Sequence, residues 1–197
     1  MHPSTFVSWR ARLLLVGAAL LMCACAGTPQ KKTDIPPRPA RETINAFQFD
    51  ARAAIRYGQR AENVRIMWQH APEADAIGFA NPLGSVLAEL QRDAQGARWI
   101  TDSGERYDAR TPDVLIARMT EVPVPIASLA LWVVGRAGPS AQVLNRDPQG
   151  RPLSLQDKEW TISYLGYESE QPNALPSLIE AENGPLRIRL AIEEWLL

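Results

Sequence analysis

The sequence carries very little reactive chemistry. Its 197 residues include two cysteines, Cys23 and Cys25, and two histidines, His2 and His70. Both cysteines and His2 fall in the first 25 positions, so the rest of the chain has one imidazole and no thiol. A histidine-rich zinc site or a cysteine nucleophile paired with histidine cannot be assembled from that inventory. A disulfide is excluded on the same ground once the leader is removed. The remainder must therefore rely on its own apolar core, and about 150 residues suffice to build one. No phosphate-binding loop, dinucleotide fingerprint, nucleophile elbow or repeat of fixed period is present. Glu193 and Glu194 are neighbours in a strand-like run, where successive side chains point to opposite faces, so they do not form a carboxylate pair. His70 closes another such run before Ala71-Pro72 and reads as a solvated strand-end residue. No metal, no other cofactor and no enzymatic reaction is implied.

What is present begins with a leader. Arg10 and Arg12 precede the apolar run LLLVGAALLM at residues 13–22, followed by Cys23-Ala24-Cys25-Ala26-Gly27. A positive segment, a short apolar segment and small residues at a cleavage site describe a secretory signal, and the run is too short to span a bilayer as a helix. A cysteine behind a small residue adds the requirement for lipid attachment. Cys25, preceded by Ala24, meets it better than Cys23, preceded by Met22. The other reading is an ordinary cleaved signal with two incidental cysteines. Lipidation at Cys25 would anchor the mature chain through several acyl chains, each buried methylene contributing about 0.8 kcal/mol. Ala26, rather than aspartate, after that cysteine favours the outer membrane.

Removing residues 1–24 takes two arginines from the 21 basic side chains and nothing from the 22 acidic ones, leaving a formal charge of −3. Nucleic acid is an unsuitable partner for such a chain. Residues 27–40, GTPQKKTDIPPRPA, hold four prolines and no aromatic side chain. This stretch is either an extended spacer or a proline-rich ligand, with spacer the simpler reading. The organisation expected is a signal over 1–24, a lipidated N-terminus and tether over 25–44, and one folded domain over 45–197.

The domain opens with alternating runs. FQFDARAAIRY at 47–57 and NVRIMWQH at 63–70 flank a turn containing Gly58, and 76–81, 85–93 and 97–103 continue an antiparallel meander. Thr111-Pro112-Asp113 then marks a helix start leading into VLIARM. Beyond Pro123 and Pro125 a second helix, IASLALWVVG, ends at Gly135 as its C′ residue. Strands resume at 152–157, 159–168 and 186–197. The fold class expected is mainly β with helices, a curved antiparallel sheet whose concave side is plugged by two short apolar helices. Five tryptophans fall in this domain, Trp68, Trp99, Trp132, Trp160 and Trp195. They either fill a core or line a pocket for acyl chains.

Asn81-Pro82-Leu83-Gly84-Ser85 places a leucine between turn-forming pairs, where a polar residue is the norm. Leu83 is either a lone exposed or inward-folding side chain, or a tip presented to a bilayer.

Several separated segments resemble the LolB family of outer-membrane lipoprotein receptors. They are Trp68-Gln69, residues 81–85, Gly104-Glu105-Arg106-Tyr107-Asp108-Ala109, Val122-Pro123-Val124-Pro125 running into residues 129–135, Trp160 with Tyr164, Leu175-Pro176, and Leu186-Arg187-Ile188 with Trp195. One departure is Ala51-Arg52, where family members often carry Gly-Arg. The resemblance implies an unclosed antiparallel β-barrel with a short helical lid over a hydrophobic cavity. It assigns the acyl-chain cavity and lid to Ile66, Trp68, Phe79, Leu129, Trp132 and Val133, and the membrane-delivery loop to Pro82, Leu83 and Gly84. The implied partners are the periplasmic carrier LolA, acylated lipoprotein cargo and outer-membrane phospholipid. The protein would act as a monomer on the periplasmic side of the outer membrane. The alternative is an assembly-factor lipoprotein that binds protein partners and has no lipid cavity.

Overall fold

A computed structural model describes residues 36–197. The leader, Cys25 and most of the proline-rich stretch lie outside the described residues. Residues 35–197 form one compact unit. Every strand pairing and the entire buried cluster belong to it, so it has what a domain needs to fold alone.

Eleven strands form one antiparallel sheet in the order β6-β5-β4-β3-β2-β1-β11-β10-β9-β8-β7. The first six are β1 (Phe47–Tyr57), β2 (Arg60–Ala71), β3 (Ala74–Ala80), β4 (Val86–Asp93), β5 (Gly96–Thr101) and β6 (Arg106–Ala109). They step outward from the centre by short turns. Helices α1 (Pro112–Thr120) and α2 (Ile126–Val133) carry the chain across to the opposite edge. From there β7 (Ala141–Arg146), β8 (Pro152–Asp157), β9 (Trp160–Tyr167), β10 (Pro176–Asn183) and β11 (Leu186–Leu196) step back until β11 pairs with β1. Edges β6 and β7 have no second neighbour. The sheet is an unclosed barrel and the helices cover its concave side.

The period-two pattern decides which face is inside. Phe47, Phe49, Ala51 and Ala53 alternate inward along β1 while Arg52 and Arg56 are exposed. Trp68, Ile77, Leu90 and Ile162 continue that inner face on other strands, all buried. Strands β6, β7 and β10 are additions to the sequence reading. β6 spans only four residues, and β7 exposes most of its side chains, so neither shows a long alternation.

One expectation is overturned. The β1–β11 register shifts between Asp50 and Ala51, skipping Glu193 on the partner strand. This bulge leaves Glu193 and Glu194 both exposed and returns Trp195 to the inside with Ile192. The two glutamates therefore do not point to opposite faces, and Trp195 reaches the core only because of the extra residue.

The helical segment is locally well specified. Pro112 opens α1, where its missing N–H is harmless. Thr111 occupies the N-cap position without a side-chain cap bond. Asp113 instead accepts a hydrogen bond from the Ile126 backbone N–H at 2.8 Å, tying α1 to the start of α2. Gly135 ends α2 with φ +77°, and its N–H reaches the Trp132 carbonyl at 2.9 Å. A Cβ at that position would also crowd Arg41 Cδ at 3.1 Å.

Residues just before β1 are fastened to the domain. Arg38 makes two 2.8 Å bonds to the Glu168 carboxylate. Arg41 donates to the carbonyls of Pro172 and Ala174 at 2.8 and 2.7 Å, and Arg136 holds the Ile44 carbonyl at 2.9 Å. Burial lowers the Arg41 pKa, partly offset by the neighbouring Tyr167.

Candidate functional site

Between the sheet and the helices lies a cavity of about 80 Å³ with a wall of carbon. Its floor comes from four adjacent strands: Phe49 and Ile55 of β1, Ile66 and Trp68 of β2, Ile77 and Phe79 of β3, and Ile188 and Leu190 of β11. Its roof comes from Ile116 and Thr120 of α1, Val122 and Val124 of the connection, and Ile126 and Leu129 of α2. The two polar groups on these side chains are both satisfied: the Thr120 hydroxyl donates to the Ile116 carbonyl at 2.6 Å and the Trp68 indole N–H donates to Asp75 at 2.9 Å. Aromatic packing sets the floor in place. Phe49 lies 5.8 Å from Trp68 and 5.1 Å from Trp195 by ring centroid, and Phe79 stacks on Trp99 at 5.2 Å.

Ile66, Trp68, Phe79 and Leu129 are thus brought together on one cavity. Trp132 and Val133 are not. They lie in the last turn of α2 and are fully buried, Trp132 against β8 and β9. Trp132 Nε1 donates to Asp157 Oδ2 at 3.1 Å, its ring packs 5.4 Å from that of Trp160, and its carbonyl accepts from the Tyr164 hydroxyl at 3.0 Å. Burial raises the Tyr164 pKa well above the ordinary tyrosine range, so it donates at every physiological pH. Period-two parity could have marked Ile55, Ile77, Ile188 and Leu190 as floor residues. Nothing in local pattern marks Val122 and Val124, which line the roof from an irregular connection.

Both helices of the roof are anchored. α2 is pinned through Trp132, Asp157 and Tyr164, and α1 packs on β4, β5 and β6 with Leu115 and Ile116 buried. At the C-terminal end of α1 an exposed ion pair links Glu121 to Arg60. Glu121 caps α1 in the left-handed conformation at φ 60°. A second space, of about 100 Å³, adjoins the cavity there, lined by Ile55, Tyr57, Arg60, Glu62, Thr120 and Val122. The cavity therefore has a mouth between the β1–β2 turn and the end of α1.

The loop between β3 and β4 is built from its own hydrogen bonds. Asn81 Oδ1 accepts from the N–H groups of Leu83 and Ser85 at 2.9 and 3.0 Å, and the Asn81 carbonyl accepts from Gly84 N–H at 2.9 Å. Gly84 takes φ +93° with open space where a Cβ would be, so backbone conformation is what asks for glycine. The result is a shaped loop whose Leu83 is 94% exposed, beside Pro82 and near exposed Val86 and Leu87.

His70 is only partly exposed, where the strand-end reading had it freely solvated. It stacks on Phe47 at 4.8 Å and bonds Asp75 at 2.6 Å. Asp75 is buried and also accepts from Trp68 Nε1 at 2.9 Å and from Arg92. Among the described residues no group of three or more His, Cys, Asp or Glu side chains could hold a metal ion.

Fold and cavity together define the class: an unclosed antiparallel barrel, lidded by helices, enclosing an apolar space. The crystal structure of a LolA superfamily protein from Nitrosomonas europaea has the same fold, with a TM-score of 0.51 at 11% identity over 80% of this chain and 90% of that one. The family model described as "Outer membrane lipoprotein LolB" matches residues 45–195, and the chain belongs to that family, which is not a family of enzymes. The outer-membrane lipoprotein LolB of Azoarcus sp. strain BH72 is 33% identical over 187 residues, covering 95% of each chain. That of Dechloromonas aromatica is 31% identical over 192 residues, covering 94% of this chain and 97% of its own.

Proposed function

We propose that the protein is an outer-membrane lipoprotein receptor, which takes lipoproteins from the periplasmic carrier LolA and inserts them into the inner leaflet of the outer membrane. Its own anchor is the lipid on Cys25, and the residues between that anchor and Arg38, which is fastened to Glu168, are the spacer. The observation that carries this reading is the carbon-walled cavity between the sheet and the helical roof.

The cavity as it stands is smaller than a protein cavity of about 150 Å³ that accommodates benzene, so an acyl chain enters only as the roof lifts. The part that moves is the connection at the mouth, around Glu121 and Val122, between the two anchored helices. Parting Arg60 from Glu121 costs little, since exposed ion pairs contribute about 0–1 kcal/mol. Acyl chains passed directly between two cavities avoid exposure to water at about 25 cal/mol per Å². Net transfer then needs only a receiver that binds more favourably than the donor. No bond is made or broken. Leu83, on its self-supported loop, is the group that enters the bilayer at delivery.

The test is transfer of radiolabelled lipoprotein from purified LolA to the protein, followed by addition of liposomes. Label should leave the carrier, co-purify with this protein, and then sediment with the vesicles. Label that stays on LolA in the presence of the folded protein would refute the proposal.

A further inference from the structure

We propose that the outer face of β1, β2 and β11 is a docking surface for the phosphate groups of an anionic phospholipid bilayer. This rests on the reading that the Leu83 loop meets the membrane.

Five arginines point outward from these three strands: Arg52 and Arg56 from β1, Arg65 from β2, and Arg187 and Arg189 from β11. The register places Arg52 directly opposite Arg65, and Arg56 directly opposite Arg187. Like charges across a strand pair oppose folding, so fold stability gives no reason for these two pairs, although on their β10 side Arg187 and Arg189 stand opposite Glu182 and Glu180. The chain as a whole is slightly acidic, so general basic composition gives none either. Glu193 answers part of the charge, at 2.7 Å from Arg52 and 3.4 Å from Arg65, and Glu182 pairs with Arg187. Arg56 and Arg189 have no ion pair or hydrogen bond among the described residues.

Ala54 and Ala191 lie between these guanidinium groups, so the face is a trough of about 560 Å³ rather than a ridge. Pro82 forms part of the same trough. That contact selects the occupant. An acidic protein would satisfy the arginines but has no use for a neighbouring apolar tip standing in water. A bilayer uses both, since Leu83 enters the acyl region while the adjacent cationic face meets phosphates at the surface. Met67, outward on β2 and half exposed, adds a second apolar contact on this side.

Residues 36–197 are mixed with vesicles of phosphatidylcholine alone or with added phosphatidylglycerol, and binding is read by co-sedimentation. Binding should be stronger to the anionic vesicles and should fall with salt. Arg56→Gln and Arg189→Gln should each weaken it about fivefold, with lysine at the same positions retaining it. Both groups are unpaired, so urea unfolding midpoints should not fall. Leu83→Glu should weaken binding to both kinds of vesicle. If Leu83→Glu has no effect while the arginine effect persists, the loop reading fails and the lipid-binding face stands. Equal affinity of the double arginine variant and wild type for anionic vesicles overturns the proposal. So does a variant that keeps vesicle binding but no longer takes cargo from LolA, which would assign the face to the carrier.

Discussion

Leu83 combines two properties that seldom coincide: a large apolar side chain and 94% exposure on a loop with a defined hydrogen-bond pattern. Its exposure is dictated locally, because Asn81 and Gly84 close the loop beneath it and leave the side chain nowhere to fold back. Leu83→Glu should leave stability within about 0.5 kcal/mol of wild type, as at other exposed sites away from caps and core. Cargo acceptance from LolA should persist, since Leu83 is not part of the cavity wall. Insertion of cargo into liposomes should drop sharply, because a glutamate has to be desolvated where a leucine enters favourably. Wild-type insertion kinetics in the liposome assay would remove the delivery role. This exposure was legible in the sequence because the turn chemistry is contained in five consecutive residues.

Helix α2 is where element-scale reading ran out. IASLALWV is apolar nearly all round, so its sequence does not say which side faces the cavity. In the structure Ile126 and Leu129 line it, while Trp132 in the last turn packs against β8 and β9. The two positions should separate experimentally. Leu129→Asp, at a half-buried roof position, should reduce uptake of a fluorescent fatty acid about tenfold or more by placing a carboxylate on an apolar wall. Trp132→Phe removes the donor to Asp157 and should cost about 1–3 kcal/mol in urea unfolding, with fatty-acid affinity of the folded protein nearly unchanged. The reverse outcome, a binding loss at Trp132 and none at Leu129, would mean that the roof rotates on binding. The missing strands belong to the same scale. β6 and β10 have too few alternating apolar positions to stand out, and they exist because neighbouring strands offer them hydrogen bonds.

At the scale of the whole domain, the two ends of the strands do different work. Register sets Tyr57 opposite Arg60 at the mouth end and Phe47 opposite His70 at the other. The latter end is sealed by aromatic rings around the buried Asp75. Burial works against charge on this carboxylate, but hydrogen bonds from His70, Arg92 and Trp68 outweigh it and hold its pKa below the usual aspartate range. A folded-state value depressed below the unfolded one contributes stability above about pH 4 and loses it as pH falls through the folded value. Asp75→Asn should therefore cost about 3 kcal/mol near neutrality, by leaving Arg92 and its partners short of a charge. The gap from wild type should narrow below about pH 4. Urea midpoints measured across that range check it, and a gap independent of pH would show that the bonds hold the same energy with the carboxyl neutral.

The sequence by itself determined whatever depends on near neighbours: the outward or inward sense of the regular alternating strands, the helix boundaries at Pro112 and Gly135, and the turn that presents Leu83. Strand parity was enough to bring Ile66, Trp68 and Phe79 to one inner face. Only the tertiary structure decided the pairing of β11 with β1, the bulge that turns Glu193 and Glu194 outward together, the rotation of α2 that puts Leu129 and not Trp132 on the cavity, and the facing arginine pairs on the outer surface. These depend on register between segments more than a hundred residues apart, such as Arg56 and Arg187. Backbone hydrogen bonding is the same for every register. The choice among registers is made by the packing of side chains that are distant in sequence.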